Sequence, residues 1–119
     1  MPFKRILTEL VTAVPGASGA ILADWEGEAV EQFSFYDDFE MKLVGAHKGI
    51  ILNRVREAYA DLNVGELQEI VISARDQKFL VGAIGPEYAL VMTLAPKAVV
   101  GQALFRFRTA LELLKKEIL

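Results

Sequence analysis

The chain has 119 residues, with 13 lysines and arginines against 16 aspartates and glutamates, a formal net charge of −3 and no cysteine. That length suits one domain, residues 1–119, with enough chain to bury a core unaided. The missing cysteine excludes disulfides, cysteine-ligated zinc and thiol catalysis, and the acidic balance argues against a nucleic-acid binder or a membrane-surface protein.

Residues 3–14 set Ile6, Leu7, Leu10, Val11 and Val14 on one stripe, with Lys4, Arg5, Thr8, Glu9 and Thr12 opposite. This is an amphipathic helix, stopped by Pro15-Gly16. Its charges interrupt any apolar leader segment, and no later stretch reaches the ~18 apolar residues of a membrane span. The chain therefore reads as a soluble cytoplasmic protein without membrane insertion. Residues 18–24 (SGAILAD) and 28–35 (EAVEQFSF) read as strands joined by a short turn. Trp25 is expected at the tip of that turn, half-exposed, and Gly27 where a backbone without Cβ is wanted. Asp37, followed three residues later by Glu40, resembles a capping pair. It opens a helix over 38–61 that Asn63-Val64-Gly65 closes.

Three more strands follow at 66–74 (ELQEIVISA), 78–84 (KFLVGAI) and 88–95 (YALVMTLA). The intervening Arg75-Asp76-Gln77 and Gly85-Pro86-Glu87 are short enough for hairpins. Pro96 stands where a first-turn proline belongs. The last helix carries Val99, Val100, Ala103, Leu104, Phe107, Leu111, Leu114 and Ile118 on one stripe.

The order αββαβββα limits the sheet. Strands 18–24, 78–84 and 88–95 are almost continuously apolar, the mark of strands covered on both faces. Strands 28–35 and 66–74 carry Glu31, Gln32, Ser34, Gln68 and Glu69, as edge strands do. The hairpins force neighbours 1–2, 3–4 and 4–5. Joining the two pieces through strands 1 and 5 gives a five-stranded antiparallel sheet of order 2-1-5-4-3. Helices must cover both of its faces, so the fold class is α+β, a three-layer α/β/α sandwich.

Apolar residues make up 53% of the chain before glycine is counted, against about 45–50% with glycine included in ordinary domains. The surplus calls for a second buried surface, on a partner or on another copy. The middle helix is the main contributor. At 100° per residue, Val44, Ile51, Val55, Ala58 and Leu62 gather in one direction, the expected core stripe. Phe39, Leu43 and Ile50 lie to one side of it, Met41, Leu52 and Tyr59 to the other. The apolar arc spans roughly 220°, against about 100° for a helix with one dry side, so a second body is expected on this helix. The remaining sector holds Lys42, Gly45, Ala46, Gly49, Asn53 and Arg56, where two glycines would admit another backbone. The edge strand Glu66–Ala74 offers unpaired amides to a second copy across a two-fold axis.

Tests for chemistry fail one by one. Counting from Asp24, glycine falls at position 4 and Phe35 at position 12, where a calcium loop needs glycine at position 6 and glutamate at position 12. Acids in one tight turn cannot flank a glycosidic bond. His47 is the sole histidine, which rules out a two-histidine metal site within one chain; it is read as a helix-surface or interface residue. No serine sits in a G-x-S-x-G elbow. Gly45-Ala46-His47-Lys48-Gly49 is not a phosphate loop, and Gly82-x-x-Gly85 leads into a strand rather than a helix N-terminus. Arg106 and Arg108, interleaved with Phe105 and Phe107, read as a solvated face beside a core stripe. No catalytic, cofactor-binding or metal residue is expected.

The order αββαβββα resembles the Roadblock family of dynein-light-chain-like proteins, in particular its small bacterial members. "GASGAILADWEGEAV" is similar to that family's first hairpin, with its acid-x-x-glycine turn. "FLVGAIGPEYALVMTLAP" is similar to its last two strands, and "VVGQALFRFRTALELLKKEI" to its closing helix. The middle helix departs from the family's small-residue habit with Ile50, Ile51 and Leu52.

The resemblance implies a Roadblock/profilin-like fold, a homodimer or heterodimer with a continuous sheet, and binding to small Ras-like GTPases as activator or scaffold. It supplies no universal catalytic residue. The function expected is a non-enzymatic homodimer that binds a small Ras-like GTPase. The alternatives are a nucleotide-independent structural adaptor and, more distantly, a small-molecule-sensing domain. The expected interface is Phe39, Leu43, His47, Ile50, Arg54 and Arg56 on the middle helix, and Glu66, Gln68, Ile70 and Ile72 on the edge strand. Arg54 and Arg56 would face an acidic GTPase surface or act near a phosphate.

Overall fold

The computed structural model describes residues 2–24 and 26–119, so the expected placement of Trp25 lies outside the described residues. The elements are α1 (Pro2–Ala13), β1 (Ala17–Asp24), β2 (Ala29–Ser34), α2 (Asp38–Tyr59), β3 (Glu69–Ser73), β4 (Lys78–Ile84), β5 (Tyr88–Leu94) and α3 (Val100–Ile118). The strands form one antiparallel sheet of order β2-β1-β5-β4-β3, as the sequence pattern requires. Helices α1 and α3 cover one face and α2 the other.

Alternation along the strands divides the core in two. Ala20 and Leu22 of β1, Leu80 and Ile84 of β4, and Leu90, Met92 and Leu94 of β5 join Leu7, Phe107 and Leu114 of α1 and α3. Ile21, Val81, Ala83, Ala89 and Val91 point the other way, toward Met41 and Leu52 of α2. No helix among the described residues is long and apolar enough to cross a membrane.

The first hairpin closes on its own carboxylate. Asp24 Oδ1 accepts from the amides of Glu26 and Glu28, both at 3.0 Å, while Asp24 O accepts from Gly27 N at 2.9 Å. Gly27 takes φ 87°, the left-handed region that a side chain disfavours. The acid that looked like a candidate ligand is thus a turn-former.

Three boundaries differ from expectation by two residues or more. β3 is shorter than 66–74, although Ala83 N still donates to Gln68 O at 2.9 Å before the regular ladder begins. α2 stops at Tyr59. α3 starts at Val100 rather than at Pro96: Gly16 O holds Ala95 N at 2.7 Å and Ala98 N turns back to Ala95 O at 3.0 Å, which commits residues 95–98 to a turn.

The larger correction concerns the roll of α2. Val44, Ile51 and Val55, expected at the centre of its core stripe, are only half-buried, and Ala58 and Leu62 are exposed. Met41, Gly45, Gly49 and Leu52 face the sheet instead. A Cβ at Gly45 would stand 2.9 Å from Ile21 Cδ1. Its absence lets the helix backbone settle onto β1. The backbone that approaches this glycine face is the protein's own sheet, not a partner's.

Candidate interaction surface

The sheet has two edges, and they differ. In β2, Phe35 N donates to Ser18 O at 2.9 Å, which turns Glu31 and Phe33 toward β1 and leaves the main chain of Gln32 and Ser34 facing outward, up to a bulge at Val30. Side chains cover the centre of this edge. Lys4 Nζ donates to Gln32 O, Gln32 N donates to Glu31 Oε1 at 3.1 Å, and Lys4 pairs with Glu31 at 3.8 Å. Lys4 Nζ also lies 5.9 Å from the Phe33 ring centroid.

In β3, the bonds from Ala83 N to Gln68 O and from Ala74 N to Gln77 O turn the even-numbered residues toward β4. Glu69, Val71 and Ser73 therefore present their main chain outward. Val71 is 43% exposed. Ile70 and Ile72, on the α2 side, are half-buried.

Arg108 of α3 fixes the start of this edge. Its Nε and Nη2 donate to the two carboxylate oxygens of Glu69 at 2.8 and 2.6 Å. The hydrogen bond to Arg108 holds the Glu69 carboxyl below its ordinary value, against the opposing effect of partial burial. A folded-state value below the unfolded one means the contribution is present at neutral pH and fades as pH falls through the folded value. Glu69→Gln is expected to remove that part of the acid-side loss. Urea midpoints of the variant should change less between pH 7 and pH 3 than those of the parent.

Helix α2 has three distinguishable sides. Its start is anchored by Asp37, whose Oδ1 accepts from Phe39 N at 3.3 Å. Beside it Tyr36 Oη donates to Thr93 Oγ1 at 3.3 Å, and Thr93 Oγ1 shares a 2.7 Å hydrogen bond with Ser18 Oγ. Burial pushes the Tyr36 phenol up, against the lowering effect of that bond to Thr93.

One flank, at Ala46, rests on the first hairpin turn at Gly27. The opposite flank faces the β3 side: Lys48 Nζ sits 4.2 Å over the Phe79 ring of β4, and Val44, Ile51 and Val55 lie on the same side at 100° steps. The third side faces away from the sheet. It carries Phe39, Leu43 and Ile50, which are 65%, 55% and 56% exposed, together with exposed His47 and Arg54.

The ten residues singled out from sequence thus fall into separate places. Phe39, Leu43, His47, Ile50 and Arg54 share the outward stripe. Glu66, Gln68, Ile70 and Ile72 lie on β3 and its approach. Arg56 belongs to neither group: its Nη2 donates to Gly85 O at 2.7 Å and its Nη1 to Pro86 O at 3.2 Å. Partial burial lowers its pKa, with Glu66 acting in the opposite direction. Arg56 ties α2 to the β4–β5 turn, which leaves Arg54 as the freely presented arginine of the two. Val71 on the β3 edge and the half-buried β3-side flank Val44, Lys48, Ile51 and Val55 are not among the ten. The signal for Val71 was its odd position in an edge strand whose even positions pair inward.

A cleft of about 870 Å³ opens where the ends of α2 and α3 meet the β4–β5 turn, lined by Tyr59, Leu62, Glu66, Lys115 and Leu119 among others. It lies at the end of the sheet, not between α2 and the sheet.

Among the described residues the sheet thus has one shielded and one bare edge, beside a helix with an exposed apolar side. The Roadblock/LC7 domain profile matches residues 4–94, and the chain belongs to the Roadblock/LC7 domain family. Among solved structures it is similar to a Roadblock/LC7 domain from Streptomyces avermitilis, with 15% identity over 97% of this chain and 96% of that one and a TM-score of 0.87. It is similar to a structure described as MglB with tetrameric arrangement, at 18% identity over 97% and 86% of the two chains and a TM-score of 0.86. Myxococcus xanthus MglB matches at 13% identity over 98% and 94%, also with a TM-score of 0.86. No curated protein sequence matched.

Proposed function

We propose that the protein is a non-catalytic cytoplasmic module that pairs with a second copy of itself and presents its paired α2 helices to a small Ras-like GTPase. The observation that carries this reading is the outward stripe of α2. Phe39, Leu43 and Ile50 are more than half exposed on one side of a 22-residue helix, beside Arg54. Apolar residues grouped in this way mark a surface that is covered in use.

The unshielded β3 edge supports self-pairing, and the tetrameric arrangement of an MglB is in keeping with self-association in this family. The Roadblock membership supports a small Ras-like GTPase as the partner class. Exposed Glu57 lies on the same side, three residues beyond Arg54, and Arg54 is the stripe's one arginine, suited to an acidic surface.

The test is capture of the host's Ras-like GTPases loaded with GDP or with a GTP analogue. Leu43→Asp should abolish capture while leaving self-association intact, because Leu43 lies on the outward side. Arg54→Glu should weaken it about tenfold, the loss of roughly one charge-assisted contact. Equal capture in both nucleotide states would make the protein an adaptor indifferent to nucleotide. No capture in either state would overturn the proposal.

A further inference from the structure

We propose that the face of the sheet away from α2 carries a second docking site, a groove between the end of α1 and the start of α3 that takes an acidic segment of a protein partner. An apolar side chain of that segment enters the groove beside Phe105, and a neighbouring carboxylate pairs with Arg106.

Residues 105–108 of α3 run Phe-Arg-Phe-Arg, and at 100° per residue the four leave the helix in different directions. Phe107 is fully buried in the core with α1 and the sheet. Arg108, on the β3 flank, is held by Glu69 at 2.8 and 2.6 Å. Phe105 and Arg106 have no such role in the fold. Phe105 is 69% exposed, more than Phe39 on the outward stripe of α2. Arg106 is exposed and among the described residues pairs with no acid. Both line a groove of about 470 Å³, with Ala13, Val14 and Pro15 at the end of α1 and Gly101 and Gln102 at the start of α3. That volume falls within the ~300–1,000 Å³ of clefts that hold a ligand.

Charge selects the occupant. No acid lines the groove. The acids of the two helices are placed elsewhere: Glu9 pairs with Arg5 at 3.8 Å and Glu112 with Lys115 at 3.4 Å, and Glu117 lies about three turns beyond Arg106. Together α1 and α3 carry six lysines and arginines against three glutamates, a positive layer in a chain of net charge −3. A positive surface on an acidic chain favours an acidic partner over another copy of the chain. The concave shape favours a protein segment, whose side chain fills the groove while its backbone passes over Phe105. A flat lipid surface would meet the rim alone. Because α2 lies across the sheet, a partner held here leaves the α2 stripe free, so the domain can join two different proteins on opposite faces.

The test is selection of a displayed library of random peptides on the full chain, with the double variant Phe105→Ala/Arg106→Glu as counter-target. Enriched sequences should set aspartate or glutamate beside leucine, isoleucine or phenylalanine. A synthetic peptide of enriched sequence should shift the wild-type amide resonances of Ala13, Gly101 and Gln102, a readout that depends on no variant folding. Arg106→Glu should weaken its binding by about tenfold or more, the loss of one charge-assisted contact, and Phe105→Ala by about tenfold through loss of an aromatic anchor. Leu43→Asp should bind it as the parent does. Resonance shifts confined to α2, or binding lost with Leu43→Asp, would place the peptide on the other face and overturn the groove. Enrichment without acids, or an affinity indifferent to Arg106→Glu, would overturn the class of partner. No enriched peptide, with Arg106-dependent binding to vesicles of phosphatidylserine and phosphatidylcholine instead, would make this face a lipid contact and remove the proposal.

Discussion

Val71→Lys is expected to turn the protein into a monomer, weakening self-association by at least about 100-fold, or roughly 2.8 kcal/mol. Val71 is 43% exposed in the single chain and its side chain leaves the sheet on the α3 side, so a lysine there costs the fold little. In a pair formed through β3 the same position would meet the second copy, and every substitution would be made twice. Two ammonium groups directly opposed across a strand pair are destabilising, and like charges forced together at an interface cost several kcal/mol. Val71→Thr, β-branched and uncharged, should leave the dimer largely intact. Sedimentation equilibrium on the three proteins decides the matter. A lysine variant that associates as tightly as its parent would remove β3 from the seam.

Gly45→Val is expected to destabilise the folded chain by about 3 kcal/mol, the upper part of the range for overpacking a core. The first atom of any side chain at residue 45 already stands 2.9 Å from Ile21 Cδ1 and 3.1 Å from Ile21 Cγ2. Valine adds two more carbons with little freedom about χ1 in a helix. Either Ile21, fully buried beneath α2, leaves its rotamer, or the helix lifts. Lifting would also carry the outward stripe away from its present level, so partner capture should fall with stability. The melting temperature should drop by about 10 °C, read at fixed protein concentration because association adds its own stabilisation.

Gly49 supplies the control. It is buried on the same side of the same helix, yet a Cβ there would meet nothing within 4 Å. Gly49→Ala should therefore be neutral or stabilising by up to about 1 kcal/mol, the helix-propensity difference. Equal losses at both glycines would show that close approach to Ile21 is not what residue 45 contributes.

These two glycines also show where sequence pattern stopped being informative. Strand order was legible because it depends on local features: hairpin lengths, and apolar runs such as FLVGAI against mixed ones such as EAVEQFSF. Each of these acts within a few residues. The roll of α2 depends instead on which helix side can come closest to a strand distant in sequence. Bulk pointed to Val44, Ile51 and Val55 as the buried direction, since large aliphatic side chains gain most from leaving water. The fold instead turned the side of Met41, Gly45, Gly49 and Leu52 to the sheet, and at Gly45 the absence of a side chain lets the helix settle onto Ile21. The aliphatic trio was left half-covered on the flank toward β3.

The candidate surface was legible in part for the same reason. Leu43 and Ile50 stood out as surplus apolar residues, which a hydrophobic count detects. Arg56 looked equivalent to Arg54 because both are helix arginines two residues apart. Only the position of the Gly85 and Pro86 carbonyl groups separates a structural clamp from a presented charge. Val71 was passed over because a pattern of side chains does not display which main-chain groups point out from an edge strand.

The guarded β2 edge carries a consequence for how large an assembly can become. A sheet that joins through one strand still has two ends, and if those ends were as bare as the first, each pair could recruit another and the structure would grow into an open polymer. Lys4 and Glu31 fill the main-chain positions of Gln32 that an incoming strand would need. The lysine comes from α1, so the stopper is part of the opening helix rather than of the sheet. If self-association runs through β3, growth by strand pairing would terminate at two copies. A charge-neutral replacement such as Lys4→Met would test the fold's control over its own stoichiometry as much as its stability.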